Sequence, residues 1–243
     1  MRALFVTGTD TGVGKTLASV SLAAYFSRIK GLSVGVMKPF ETGLPLDRTE
    51  FFPCDAKSLK DASGSRDSLA SINPCTFQKP LAPEAAALEE GKGIDLDATE
   101  RICRDIVKNH DITIVEGAGG ILVPIKENFF FQDLMKKWSL PVVVVARLGL
   151  GTINHTLLTC RSLESEGIRT IGVILNDSEG SSDVATRTNP GMLRKYLPVP
   201  LLGIMPYLEG FGDGGADLDR LGRMAATNLD VEAIYDGATL RSL

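Results

Sequence analysis

Six short apolar runs, each rich in Val, Ile and Leu, do most to limit what this chain can fold into. They fall at Ala3–Thr7, Ser33–Lys38, Ile112–Glu116, Pro141–Ala146, Thr170–Asn176 and Leu201–Met205. None alternates apolar with polar residues; continuous apolarity is the pattern of strands covered on both faces. Helix-length stretches lie between them, at Lys15–Lys30, Asp97–Asn109, Gln132–Trp138 and Asn154–Glu166. Strands alternating with helices predict βαβ units: an α/β fold, mostly parallel in its central sheet, with helices on both faces. Such a sheet leaves the loops at the carboxyl ends of its strands to build a site. No linker divides residues 1–243, so a single domain is expected, with Gly43–Pro53, Ser178–Pro190 and Gly210–Gly215 as loops.

Charge and cysteine usage exclude several classes. With 26 Lys+Arg against 30 Asp+Glu, the net charge of −4 offers no long-range attraction to nucleic acid or an anionic membrane. The longest apolar candidate, Val142–Ala146, is far short of the ~18 residues of a membrane span. The first residues lack a signal-peptide pattern, because Leu4–Phe5–Val6 passes at once into Thr7–Gly8–Thr9–Asp10. Cys54, Cys75, Cys103 and Cys160 are far apart, with only His110 and His155 to join them, which argues against zinc and against a disulfide framework. Reduced thiols in a cytoplasmic protein are the expectation.

The chemistry is announced by Phe5-Val6-Thr7-Gly8-Thr9-Asp10-Thr11-Gly12-Val13-Gly14-Lys15-Thr16, followed by the helical Leu17-Ala18-Ser19-Val20. Glycines let the backbone turn several N–H groups onto one anion, and a helix start adds free donors and partial positive charge. In a P-loop, Lys15 reaches the β and γ phosphates and the Thr16 hydroxyl ligates Mg²⁺. The spacing departs from G-x-x-x-x-G-K-[ST], since Gly8 comes one residue early and Thr9 stands at the glycine position. A glycine-rich stretch that merely opens a helix is the plainer alternative; the position between first strand and first helix favours a nucleoside-triphosphate site.

Other strand ends carry polar groups. Lys38 closes the second apolar run, and Glu116 heads Gly117-Ala118-Gly119-Gly120 after the third. An acid at a strand end beside a P-loop is a usual Mg²⁺ anchor. Asp55 reads either as a further oxygen for that ion or as the cap of a short helix. Gly151-Thr152-Ile153-Asn154 precedes a helix and suits either a second anion, such as a carboxylate, or an N-cap by Thr152 or Asn154. Asn176 and Asp177 read a base by side-chain hydrogen bonds or start a turn. No Ser-His-Asp or Cys-His arrangement is expected.

Taken in order, these segments resemble the dethiobiotin synthetase family. The matching residues are Gly8 through Thr16, Lys38-Pro39 with Thr42-Gly43, Asn73-Pro74-Cys75-Thr76-Phe77, Val115 through Gly120, Ile153-Asn154-His155, Asn176-Asp177 and Leu201-Leu202-Gly203. The likeness runs from residue 2 to about 208. It implies a P-loop fold and an ATP- and Mg²⁺-dependent ligase that closes a ureido ring from carbon dioxide and 7,8-diaminopelargonic acid, through a carbamate and a carbamic-phosphoric anhydride. Lys15 and Lys38 are implied as catalytic. ATP is implied to lie on Thr11, Gly12, Val13, Gly14, Lys15, Thr16, Leu17, Asp55, Glu116, Gly117, Ala118 and Gly119, with Asn176, Asp177, Pro206, Tyr207 and Leu208 at the base. Thr16, Asp55 and Glu116 are implied as the metal's ligands, and Thr42, Gly151, Thr152, Ile153 and Asn154 as the substrate's. The resemblance also implies a homodimer in which that last segment serves the partner's substrate carboxylate. Gly12 stands where some members carry Glu, and Thr42 where others carry Ser. A rival is a partition or positioning ATPase of the ParA/MinD type, but the extra lysine of that group is replaced here by Asp10.

Overall fold

The computed structural model describes residues 1–44, 55–180, 182–211 and 217–240. Strand β1 (Ala3–Gly8) is buried at every position. It passes through the glycine-rich loop into α1 (Lys15–Ala24), which continues as a π-helical turn over Tyr25–Ile29. Next come β2 (Val34–Met37), β3 (Phe40–Glu41), α2 (Asp55–Ser63), α3 (Leu69–Ile72), β4 (Cys75–Thr76), α4 (Pro83–Glu90) and α5 (Leu96–Asn109). The middle of the chain forms β5 (Ile112–Gly120), the small pair β6 (Pro124–Lys126) and β7 (Phe129–Phe130), α6 (Phe131–Trp138) and β8 (Val142–Arg147). It ends with α7 (Thr152–Ser165), β9 (Thr170–Asn176), α8 (Val184–Tyr196), β10 (Leu201–Met205), α9 (Leu218–Asn228) and α10 (Val231–Gly237).

All six apolar runs enter one sheet, ordered β10-β9-β8-β1-β5-β2 and parallel throughout. Successive residues of β1 serve opposite faces. Leu4 and Val6 pack with α1, α2, α9 and α10, through Leu22, Leu59, Leu221 and Ile234 among others. Ala3 and Phe5 pack with the helices of the second face, through Ile106, Leu134, Leu163 and Leu193. Two apolar layers explain the lack of alternation.

Chain connections leave β1 toward β2 on one side and leave β8 toward β9 on the other. This change of direction between neighbouring strands opens a crevice at their carboxyl ends. The loop after β1 sits there, and the register opposes Val6 to Glu116, so the acid of β5 lies beside that loop.

The expected loop over Ser178–Pro190 is corrected by the structure, because α8 begins at Val184. Asp183 caps it by accepting the Thr186 N–H at 2.7 Å. Pro190 lies within this helix, and Asn189 pins the turn to the Leu148 and Gly149 carbonyls at 3.0 and 2.9 Å. The Gly43–Pro53 expectation falls mostly on residues 45–54, and most of Gly210–Gly215 on 212–216, outside the described residues. No helix among the described residues is long and apolar enough to cross a membrane.

Candidate active site

The loop after β1 is shaped by close approaches. A Cβ on Gly8 would stand 2.8 Å from Val13 Cγ2 and 2.9 Å from the Asp10 carbonyl, so the early glycine is needed where the loop folds back. Gly14 has φ +98°, and a Cβ there would meet Asn176 Nδ2 at 2.2 Å. Gly14 is also the N-cap of α1, and no side chain caps that helix. Its first N–H groups are therefore left for an anion.

A cavity of about 900 Å³ opens over this loop, at the upper end of the roughly 300–1,000 Å³ of small-molecule sites. Thr11, Gly12, Gly14, Lys15, Thr16 and Leu17 line one part of it. Lys38, Thr42 and Asp55 line another, and Ala118 and Gly119 border it from the end of β5. Asn176 ends β9, and Asp177, Tyr207 and Leu208 come from the loops after β9 and β10. Val13 packs into the core beneath, and its carbonyl accepts from Asn176 Nδ2 at 3.1 Å. Pro206 and the segment Gly151–Asn154 are outside this cavity. Nor do Thr152 or Asn154 cap α7, whose N-cap is Gly151 at φ +90°; Thr152 is buried against Thr156 instead. Asp177 does start a turn, accepting the Gly180 N–H at 2.8 Å.

Beneath the cavity floor lies a chain of charges. Lys38 Nζ meets Glu116 Oε1 at 2.6 Å, Asp55 Oδ2 at 2.7 Å and the Gly117 carbonyl at 3.1 Å. The Thr16 hydroxyl donates to the same Glu116 oxygen at 2.9 Å. Lys38 is 3% and Glu116 0% exposed, so their pairing is what makes either charge tolerable. Burial works against the Lys38 charge, yet Glu116 and Asp55 together hold its ammonium above the ordinary lysine range. Burial likewise works against the Asp55 charge, but Lys38 overrides it and keeps the carboxyl below its usual value. Lys15, which donates to the Asp10 carbonyl at 2.9 Å, is lowered to about 8 by burial and then by the charge of Lys38.

Asp55 is the first residue of α2 rather than its cap. The cap is supplied by Glu41, whose Oε1 accepts the Asp55 N–H at 2.8 Å while Oε2 accepts the Ala56 N–H at 3.4 Å. Burial, and then Asp55, push the Glu41 carboxyl up to about 7. Glu41 was not a sequence candidate, and neither was the apolar wall of Pro80, Leu81, Ala82, Pro83 and Val123. Their contacts span chain separations that no local spacing reports.

Buried Glu116 Oε2 has no hydrogen-bond partner among the described residues, an orphaned acceptor beside the Thr16 hydroxyl. Together with Asp55, these all-oxygen donors fit a hard divalent cation such as Mg²⁺. Among the described residues no three His, Cys, Asp or Glu side chains converge as a metal cluster. The phosphates of a nucleotide would have to complete the shell.

A Ser, a His and an Asp do meet elsewhere in the fold, as a hydrogen-bonded chain away from the cavity. Ser33 Oγ lies 2.8 Å from His110 Nδ1, and His110 Nε2 lies 2.9 Å from Asp67 Oδ2. It sits at the amino end of β2, the opposite end from Lys38, and outside the main cavity.

The sheet order, the loop after β1 and the uncapped helix start define a P-loop nucleoside-triphosphate-binding protein. The chain matches the AAA domain family AAA_26 over residues 2–213. It is 44% identical over 209 residues to an ATP-dependent dethiobiotin synthetase of Bacillus velezensis, covering 86% of this chain and 88% of that one. Against the enzyme of the same name from Thermodesulfovibrio yellowstonii it is 40% identical over 238 residues, covering 95% and 97%. The chain belongs to the ATP-dependent dethiobiotin synthetase family and is an enzyme of that type. Among solved structures, the septum site-determining protein MinD with Mg-ADP from Pyrococcus horikoshii superposes with a TM-score of 0.58 at 13% identity, over 97% of this chain and 94% of that one. A ParA family ATPase from Chlorobium tepidum gives 0.53 at 13%, over 97% and 93%. At such identities the likeness is one of fold.

Proposed function

We propose that this single-domain chain closes the ureido ring of dethiobiotin from 7,8-diaminopelargonic acid, carbon dioxide and ATP, in the cytoplasm. The observation that carries the reading is the joined floor of the cavity: Lys15 above, and Lys38 locked between Asp55 and Glu116 below. Carbamate and triphosphate are both anions and repel each other in water. A cavity with two ammonium groups and an uncapped helix start offsets that repulsion where charge moves.

The bonds balance without a protein nucleophile. One substrate amine attacks carbon dioxide and loses a proton, forming a carbamate. A carbamate oxygen then attacks the γ-phosphorus as the bond to the ADP oxygen breaks. The second amine attacks the carbonyl carbon of this anhydride, phosphate leaves, and a proton is lost. Lys15 follows the phosphoryl charge, while Lys38 faces the carbamate and is kept from swinging by its two carboxylates. Thr16, Asp55 and Glu116 hold Mg²⁺, which when bound neutralises phosphate charge. Asn176, with its free buried Oδ1, meets the adenine beside Tyr207 and Leu208.

The substrate carboxylate is met by Gly151–Asn154 of a second protomer in a homodimer. The neighbouring Leu150, 86% exposed, and Leu158, 58% exposed, support a covered apolar face there. The rival regulatory ATPase finds no support in the loop, where Asp10 caps the Thr11 N–H at 2.7 Å and pairs with Arg147. The test is phosphate release from ATP with and without the diamine plus bicarbonate. Strict dependence on the diamine is expected; equal release without it overturns the reading.

A further inference from the structure

Glu41 stands in the cavity wall next to Thr42 and close to the floor made by Lys38 and Asp55. Only 6% of it is exposed. Each carboxylate oxygen accepts one backbone N–H of α2 and keeps a further lone-pair direction. The cations of the cavity are engaged elsewhere: Lys38 with Glu116, Asp55 and the Gly117 carbonyl, Lys15 with the Asp10 carbonyl. Among the described residues, no Lys, Arg or His forms an ion pair with Glu41. The first N–H groups of α2 and the nearby charge of Lys38 offset this enclosure only in part, and a ligand cation in direct contact with the carboxylate is favoured further. The same cavity is walled by Pro80, Leu81, Pro83 and Val123. Apolar wall and unpaired acid together complement an alkyl chain that carries an amino group.

We propose that Glu41 is a specificity-determining residue that seats an amino group of the alkyl diamine, so that an amine-bearing chain rather than a plain fatty acid fills the cavity. The inference rests on the ligase reading above and deepens it. A vicinal diamine presents two chemically similar nitrogens, and the reaction needs one as carbamate and the other held ready. Lys38 and Glu41 offer opposite charges on neighbouring parts of one wall. The remaining amine is drawn to the Glu41 carboxylate, as a hydrogen-bond donor or as an ammonium that gives up its proton before it attacks the carbonyl carbon. This orients the pair before the second amine attacks.

The test is Glu41→Gln, which keeps an oxygen for the Asp55 N–H and removes the charge. In the phosphate-release assay at saturating ATP and bicarbonate, the KM for the diamine should rise about 10- to 100-fold, the loss of a charge-assisted hydrogen bond. The KM for ATP should stay as in the parent. Calorimetry with 8-aminononanoate and nonanoate supplies a readout free of turnover: the parent prefers the amine, and the variant loses that preference. An unchanged KM for the diamine with the preference intact overturns the proposal. So does a parallel loss for ATP and diamine, which would make Glu41 only the fastening of α2. Failure of the parent to release phosphate in response to the diamine would defeat the ligase reading instead, and the calorimetric comparison would still report on Glu41.

Discussion

Replacing Lys38 by Met tests the buried charge chain most severely. The Met side chain matches much of the lysine stem, so packing is largely retained while the ammonium is removed. Three partners are then abandoned: Glu116 at 2.6 Å, Asp55 at 2.7 Å and the Gly117 carbonyl at 3.1 Å. Asp55 can turn toward water, since its side chain is 39% exposed, but Glu116 has no such route at 0%. Only the Thr16 hydroxyl still donates to it. Stripping one partner from a buried pair costs about 3–5 kcal/mol. For a domain of this size, each kcal/mol lowers Tm by about 2–4 °C, so the expected drop is roughly 6–20 °C. Far-UV circular dichroism melts without nucleotide at neutral pH measure it. Acidification, which neutralises abandoned carboxylates, narrows the gap. The double variant Lys38→Met/Glu116→Gln removes the stranded charge and regains part of the loss, a coupling of about 0.5–3 kcal/mol. A single variant that melts with its parent, or a double variant no better than the single, refutes the claim that the two charges depend on each other.

Further outcomes follow from the same geometry. Lys15→Ala should lower turnover by several kcal/mol of transition-state stabilisation, roughly that of an oxyanion donor or more, checked by steady-state rates with ATP and the diamine; near-normal turnover contradicts it. Because the Lys15 value in the free chain is lowered to about 8, its charge is lost as pH rises through 8, while an unfolded lysine stays protonated to its ordinary 10.5. Stability therefore gains a contribution across pH 8–10.5, whereas ATP affinity falls over the same window and binding there takes up a proton; calorimetry in buffers of differing ionisation heat reads the uptake, and a pH-independent affinity opposes the assignment. Gly14→Ala, strained at φ +98° and driven to 2.2 Å from Asn176 Nδ2, should abolish nucleotide binding in a fluorescence titration. Asn154→Ala should raise the KM for the diamine and leave ATP untouched, and the defect should be present only where the chain dimerises, as read by light scattering; equal loss of both ligands would point to damage within the fold.

Much of the architecture was legible because its causes are local. Six apolar runs became six parallel strands, since burial on both faces leaves no room for alternation in residues such as Leu4 and Phe5. The phosphate loop was equally plain, and Gly8 explains why the glycine comes one position early. What escaped was set by distant contacts or by conflicting local cues. The helix α8 was masked by Pro190 and its polar neighbours, which the Asp183 cap and the Asn189 anchor outweigh. Glu41 gave no signal because its partners at Asp55 and Ala56 lie 14 and 15 residues on. The hydrogen-bonded chain Ser33–His110–Asp67 joins residues 43 and 77 apart, beyond any spacing rule.

The central claim is that one cavity joins carbamate formation to phosphoryl transfer. Supplying ¹³C-bicarbonate, ATP and 7,8-diaminopelargonic acid, and following carbon by NMR alongside phosphate release, tests it directly. The account predicts label in a ureido carbonyl and one phosphate for each ring closed. Phosphate released without labelled product, at a rate indifferent to the diamine, would contradict it.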